Sequence, residues 1–379
     1  MASAVASPLM LFSNLQLRPV MASDTDGDYA FGEYFALRLT MLPLALIAVS
    51  IVAQFGYTDA QMKVIILFAI AKAFEGVSDI FYGYAQKNER MELIARSLII
   101  KGVASLVLFG TTFAISNSLS WALIAMAAGW AIPLFAFDIP GCRRLMRQIE
   151  GRVSLRPKWR ITRLRSLAYL ALPLGLTMLL IQLRNTIPRT ILESQHGEAQ
   201  LGIFSAMAYL VIAGNTVVMA LSQSSIARLS RFRTNSKDFT SLVKRLLLIG
   251  FSLGAGGVLV AWLVGQPLLT LIYSEEYATH HTVFILIMAA GGLLYMASLL
   301  GAPATAMKAY REQMWIQAIN VVWMLFLARW LIPGQGMMGA AWTMVGGSAW
   351  VLLAYGVVVW RGCSSGESEP ESGEKEPRP

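Results

Sequence analysis

Charge is scarce in this sequence. Asp, Glu, Lys and Arg make up 14% of its 379 residues, against roughly a quarter in an average soluble domain. With 56% hydrophobic residues and a mean hydropathy of +0.57, folding alone cannot hide its surface from water, and a bilayer must cover it. Cysteine is also scarce. Cys142 and Cys363 both lie outside the apolar runs, so there is neither a disulfide framework nor a metal-ligand spacing. The three histidines, His196, His280 and His281, do not make a metal site. The adjacent pair lacks a third ligand and is expected at the surface, where it can sense external pH. The first residues, MASAVASPLMLF, have no basic n-region, so no signal peptide is visible. Long polar stretches between the apolar runs are missing too, which excludes a soluble domain inserted among them.

What is present is a series of apolar runs long enough to cross a hydrocarbon core as helices, for which about 20 residues suffice. Ten are full length: roughly 34–55, 62–84, 93–115, 118–140, 167–191, 200–222, 241–264, 282–304, 312–332 and 337–360. An eleventh, roughly 3–20, is short and diluted by Ser, Asn and Gln. Only helices or closed barrels satisfy backbone hydrogen bonds in lipid, and continuous apolar runs without period-two alternation exclude the barrel. The expected fold class is therefore all-α, a polytopic transmembrane helix bundle. The C-terminal GCSSGESEPESGEKEPRP is polar, Pro-rich and acidic, and is expected to be a disordered tail over 362–379.

The net charge of +9 and pI near 9.6 would suggest a nucleic-acid partner in a soluble protein. Here the basic residues sit in short loops, so they report orientation instead, and no nucleic-acid partner is implied. The linker 141–166 holds Arg143, Arg144, Arg147, Arg152, Arg156, Lys158, Arg160, Arg163 and Arg165 against Glu150 alone. Arg228, Arg231, Arg233 and Lys237 mark a second basic loop, Lys87 and Arg90 a third, Lys308 and Arg311 a fourth. The remaining connections are nearly free of basic residues. The basic loops, and with them the tail, are expected in the cytoplasm, with all three histidines facing outward. The linker is a topology determinant that also suits anionic lipids, and its Trp159 suits the interface.

The two halves resemble each other. Tyr57, followed by an apolar helix ending in GYAQKNERMELI, parallels Tyr277, followed by one ending in TAMKAYREQMWI, at an offset of about 220. FGEYFALRL from Phe31 parallels FTSLVKRLL from Phe239 at about 208. Parallel repeats are a common transporter architecture. The expected organisation is an N-terminal lobe over 1–140, the linker 141–166, a C-terminal six-helix lobe over 167–361 and the tail. The helix at 167–191 has no partner in the first half. Eleven spans are seen and twelve expected, which predicts that the first helix of the N-terminal lobe lies upstream of Met1.

Four stretches carry a family resemblance: SNLQLRPVMASDTDGDYAFGEYFALRLT, AFEGVSDIFYGYAQKNERMELIARS, LPLGLTMLLIQLRNTIPRTILE and GEAQLGIFSAMAYLVIAGNTVVMALSQSSIARLSRF. The chain resembles polysaccharide-biosynthesis membrane proteins of the oligosaccharide flippase-like kind. These belong to the superfamily that includes multidrug/toxin extrusion (MATE) transporters and lipid II flippases. The resemblance implies two six-helix lobes, a central cavity, alternating access and a polyprenyl-pyrophosphate-linked sugar as cargo. It further implies a bacterial cytoplasmic (inner) membrane location, with membrane lipids and other polysaccharide-assembly membrane proteins as partners.

Ionisable groups within a bilayer usually face a cavity, a partner or a pathway. Lys72, Glu75 and Asp79 lie at i, i+3 and i+7 on one helix face. Their repeat-related positions, Gly292, Tyr295 and Leu299, are uncharged. Two readings stand: a coupling-ion site, for a proton or sodium, or a salt-bridge cluster locking helices together. No other cofactor is implied. The helix at 167–191 carries Gln182, Arg184, Asn185 and Arg189 between Pro173 and Pro188. An arginine fork suits the oxygens of a pyrophosphate head group, so Arg184, Arg189 and Gln182 are candidate cavity residues, with snorkelling as the other reading for Arg189. Arg38 either receives the head group or anchors to lipid phosphates. Lys101 lies deeper in its helix and is a further cavity candidate. Asp138 is expected to cap a helix or contact a loop.

Lipid-linked oligosaccharide flipping is thus the leading expectation, by alternating access and without covalent chemistry. A multidrug or toxin cation exporter of the same fold is the alternative, and predicts a cavity dominated by carboxylates. A membrane glycan polymerase or transferase is the third reading. It needs a large external loop or a cytoplasmic catalytic domain, and the connections leave room for neither.

Overall fold

The computed structural model describes residue 10, residues 12–151 and residues 154–366, and among them the chain is helical with no strand. Helix α1 is Leu17–Ser23, α2 Phe31–Gly56, α3 Asp59–Lys87, α4 Met91–Ser116 and α5 Leu119–Glu150. The next 71 residues, Ile161–Arg231, are two helices, because Gly197 has φ 83° and ψ 175° and breaks the run into α6 (161–196) and α7 (198–231). A positive φ there is open to glycine and strained for other residues. Then follow α8 Ser236–Ile272, a single turn Glu275–Ala278, α9 His281–Ala306, α10 Tyr310–Gln335 and α11 Met337–Gly366.

Eight of these runs, with Ile161–Arg231 counted once, are long and apolar enough to cross a membrane. Helix α3 is long enough at 29 residues but carries Lys72, Glu75 and Asp79. Each of the ten full spans expected from the sequence coincides with a helix, and several helices run past the expected limits, α5 to Glu150, α7 to Arg231 and α8 to Ile272. Their outer faces carry bare apolar side chains such as Ile99, Leu106, Trp262, Trp330 and Leu353. Such an apolar surface belongs in lipid, so the chain is a multi-pass membrane protein.

The expected eleventh span over 3–20 is not a continuous helix. Leu15 and Gln16 both take left-handed backbone angles, with φ 45° and 50°, and a turn at 14–16 separates the preceding helical residues from α1. Residues 1–9 and 11 lie outside the described residues. At the other end α11 runs to Gly366, into the expected tail, and 367–379 lie outside the described residues.

The chain divides into two compact units, Met1–Leu179 and Leu180–Pro379. In the first, α3 packs against α1, α2 and α5, and α4 packs against α5. In the second, α9 packs against α8 and α11, and α10 against α11. The α8–α9 crossing is close because both helices present glycine: a Cβ on Gly254 would lie 2.6 Å from the Gly292 Cα.

The internal repeat appears in the backbone. Between α3 and α4 the Asn88, Glu89 and Arg90 amides donate to the Tyr84, Gln86 and Ala85 carbonyls, and Glu89 has φ 57°. Between α9 and α10 the Met307, Lys308 and Ala309 amides donate to Pro303, Thr305 and Ala304, and Lys308 has φ 59°. Each group is displaced by 219 residues. The same displacement relates Asn117, φ 48° and bonded to the Phe113 carbonyl, to Gly336, φ 55° and bonded to Ile332. At this offset the partners of Lys72, Glu75 and Asp79 become Gly291, Leu294 and Ser298, still uncharged.

The linker is structured at both ends. Helix α5 passes through a π-helical turn, Leu134–Asp138, and continues to Glu150, burying Cys142, Leu145 and Met146 and exposing Arg143, Arg144 and Arg147. Further on, the Lys158 amide donates to the Gly32 carbonyl at 2.8 Å. Arg163 bonds Glu33 at 3.2 Å and lies 4.9 Å from the centre of the Tyr29 ring. Burial pushes the Tyr29 phenol up, with the Arg163 charge partly offsetting it.

Candidate functional site

Helix α2 positions Arg38 inside the first unit, where its side chain is fully buried. It therefore does not anchor to lipid phosphates. One guanidinium nitrogen bonds Asp79 Oδ2 of α3 at 3.1 Å, another donates to Asn14 Oδ1, and Nε has no partner. Arg18 of α1 joins the same group. Its Nε donates to Gln86 Oε1 at 2.7 Å, a terminal nitrogen lies 3.8 Å from Asp79 Oδ1, and the guanidinium is 5.7 Å from the Tyr82 ring centre. Two arginines thus share one carboxylate, which leaves a net positive charge.

The sequence pattern placed Lys72, Glu75 and Asp79 on one face, and the structure divides them. Lys72 bonds Glu75 at 2.7 Å and lies 5.2 Å from the centre of the Trp130 ring. Both of their side chains are partly exposed. Asp79 belongs to the arginine group.

Lys101 on α4 is buried and enters a different network. Its Nζ donates to Ser78 Oγ at 2.8 Å and Tyr82 Oη at 2.9 Å, and lies 3.6 Å from Asp138 Oδ2. Ser97 donates to Asp138 Oδ1, and Ser97 and Tyr82 hydroxyls are 2.7 Å apart. Asp138, expected as a cap or loop contact, is buried instead. The π-helical turn carries it inward against α4.

In the second unit Arg184 is 7% exposed. Its guanidinium donates to Gln317 Oε1 on α10 at 3.4 Å, and Gln317 Nε2 reaches the Tyr355 hydroxyl on α11 at 3.4 Å. No carboxylate pairs with Arg184 among the described residues. Asn320, one turn along α10 from Gln317, is fully buried with both amide atoms unpartnered. Gln182 and Arg189 do not join this group. Gln182 is exposed, as residues two apart on a helix point to different sides. Arg189 is half-buried, 5.7 Å from the centre of the Tyr209 ring.

None of the histidines is fully exposed. A ring nitrogen of His196 contacts the Ile332 carbonyl at 2.9 Å, and one of His281 contacts the Ala261 carbonyl at 2.7 Å. Among the described residues no three His, Cys, Asp or Glu side chains could hold a metal.

Sequence reasoning missed Arg18, Asn320 and the Lys101–Asp138 pairing. Arg18 sits in a segment read as one diluted helix, whereas it lies on α1, after the turn at 14–16. The signal for Asn320 was available, since Gln313, Gln317 and Asn320 follow helical spacing in an otherwise apolar run.

No family model matches the chain. It is 29% identical over 360 residues to the capsular polysaccharide biosynthesis protein CapF of Staphylococcus aureus, covering 93% of this chain and 88% of that protein. It superposes on the Vibrio cholerae MATE transporter VcmN in its bent form with a TM-score of 0.78 at 15% identity, covering 97% of this chain and 86% of that one. A Pyrococcus furiosus MOP-superfamily transporter, described as having a binding pocket of reverse polarity, gives 0.73 at 12% identity, covering 97% and 86%. The chain has the MATE-transporter fold.

Proposed function

We propose that this protein moves a polyprenyl-pyrophosphate-linked oligosaccharide between the leaflets of a bacterial cytoplasmic membrane by alternating access, as a transporter and not an enzyme. The observation that carries the reading is the surplus of buried cations. In the first unit Arg18 and Arg38 share one carboxylate, Asp79, and in the second Arg184 has no carboxylate partner among the described residues. Uncompensated charge inside a bilayer costs several kcal/mol, so a residual positive site calls for an anionic ligand. Pyrophosphate is such a ligand, and arginine's planar fork matches its oxygens.

The chain's likeness to a capsular polysaccharide biosynthesis protein supports a glycan cargo. The alternative, a multidrug cation exporter, calls for carboxylates free to attract a cation. Glu75, Asp79 and Asp138 instead each pair with a cation of the chain itself. In this reading the basic linker 141–166 lies on the cytoplasmic face, and partner assembly proteins act on the flipped product.

The test is leaflet-resolved analysis of lipid-linked saccharide in cells lacking the gene. Intermediates should accumulate on the cytoplasmic face, clear on complementation, and persist with Arg184→Ala. Absence of accumulation together with raised drug sensitivity would transfer support to the exporter.

A further inference from the structure

The network around Lys101 can be read proton by proton, because each donor is forced. The Asp138 carboxylate only accepts, so Ser97 donates its hydroxyl proton to Oδ1. Ser97 is then spent as a donor, so Tyr82 must donate to Ser97 across their 2.7 Å contact. The Tyr82 oxygen in turn accepts from Lys101 at 2.9 Å. The result is one directed chain, from Lys101 through Tyr82 and Ser97 to Asp138. It also runs along the helices towards their basic ends. Ser97 is four residues nearer than Lys101 to the basic end of α4, and Tyr82 four nearer than Ser78 to the basic end of α3. At 1.5 Å rise per residue this is about 6 Å.

Two further observations point to exchange at the Asp138 end. Asp138 Oδ2 is buried with no hydrogen-bond donor in reach, and Lys101 stands 3.6 Å off. A small cavity of about 20 Å³ adjoins it, lined by Tyr82, Asp138 and Cys142 among others. That volume admits a single water.

We propose that Lys101, Tyr82, Ser97 and Asp138 form a proton path in the first unit that exchanges with water at the basic end of the bundle. In the step, a Lys101 N–H bond breaks as Tyr82 gains a proton. The Tyr82 O–H breaks as Ser97 gains one, and the Ser97 O–H breaks as Asp138 gains one. Ammonium plus carboxylate become amine plus carboxylic acid, with no change in net charge. Asp138 then releases its proton to water in the cavity, and on the deeper side the Ser78 O–H breaks as the Lys101 amine gains a proton, with Ser78 reprotonated in turn by water. A metal cation does not fit here, since the ammonium repels it and no cluster of ligands is present among the described residues. The groups that bear on Asp138 directly are Ser97 and Lys101 from α4, Tyr82 from α3 and Cys142 from its own helix, while Ser78 acts through Lys101 and Glu150 through Cys142. Glu75 and Asp79 act on it through Lys101, and Arg18 through Tyr82. As a coupling device the path rests on the flippase reading, but the protonation itself does not.

The test is infrared difference spectroscopy on the full-length protein in liposomes as buffer is made acidic. Wild type should show a carboxylic-acid carbonyl band that shifts in heavy water. The band should vanish in Asp138→Asn, persist in Asp79→Asn, and be unmoved by exchanging potassium for sodium. The Lys101→Met, Asp138→Asn double variant removes both charges at once and guards against misfolding of the single variant. It should fold, lack the band, and lose the dependence of transport on an imposed pH gradient. A band that survives in both Asp138 variants, or that is absent from wild type, overturns the proposal. So does a double variant that stays gradient-dependent. If wild type shows the band but flips no lipid-linked saccharide, the function proposal fails and the proton path stands.

Discussion

Lys101 in the first unit and Asn320 in the second are repeat partners, 219 residues apart, and both are buried in their helix bundles. Lys101 is balanced by Asp138, whereas residues 356–358 around the equivalent place on α11 are Gly356, Val357 and Val358. One unit therefore encloses a neutralised ion pair. The other encloses an unpartnered amide near an unbalanced arginine. A charge needed by the architecture would recur in both units, so the difference supports the proposed functional role of these charges.

Arg184 and Asp79 should respond in opposite ways to substitution. Asp79→Ala leaves Arg18 and Arg38 without a counter-charge and should destabilise the protein by about 3–5 kcal/mol, the range for breaking a buried pair. Arg184→Met removes a cation that has no carboxylate, so stability should hold or rise while transport falls. Thermal unfolding of the purified variants, alongside transport, separates the two.

At the substrate end, hydrogen bonds to a charged group contribute about 1.5–3 kcal/mol. Arg184→Ala should therefore lower apparent affinity for the lipid-linked saccharide roughly tenfold to a hundredfold. Arg184→Lys keeps the charge but not the fork and should recover only part of the loss. Substrate titration of the transport rate checks both.

The two matching turns offer a test of the repeat. Glu89 and Lys308 hold left-handed backbone angles that cost a non-glycine residue about 1–2 kcal/mol. Glu89→Gly and Lys308→Gly should each stabilise the protein, and by similar amounts, as read by melting temperature. Unequal signs would show that the turns differ in their surroundings.

The α8–α9 crossing makes a fourth prediction. Gly254→Leu places a side chain where a Cβ alone meets the Gly292 backbone at 2.6 Å. Overpacking of this kind costs about 1–3 kcal/mol or more. Yield and melting temperature should fall, whereas Gly256→Ala, with nothing within 4 Å of its Cβ, should be silent on packing grounds.

The spans were readable because each is a long run in which apolar residues far outnumber charged ones, and the repeat because its turns keep Lys87–Arg90 and Lys308–Arg311 at the same helix ends. Side-chain partnerships were not. Helical spacing correctly put Lys72, Glu75 and Asp79 on α3, but partner choice depends on neighbouring helices, and Asp79 turned to Arg38 and Arg18. Asp138 was misread because a π-helical turn shifts which residues face inward, and the five residues Leu134–Asp138 carry no marker of one. Leu15 and Gln16 likewise break a helix without glycine or proline to announce it.

The most direct measurement is flipping by the purified protein in liposomes. A polyprenyl-pyrophosphate-linked saccharide is placed in both leaflets, and the fraction reached by an impermeant glycan-modifying enzyme added outside is followed over time. Wild type should expose the inner pool, Arg184→Ala should slow this at least tenfold, and a neutral lipid-linked sugar lacking pyrophosphate should not be moved. Equal movement of the neutral lipid, or an Arg184→Ala rate equal to wild type, would contradict the flippase reading.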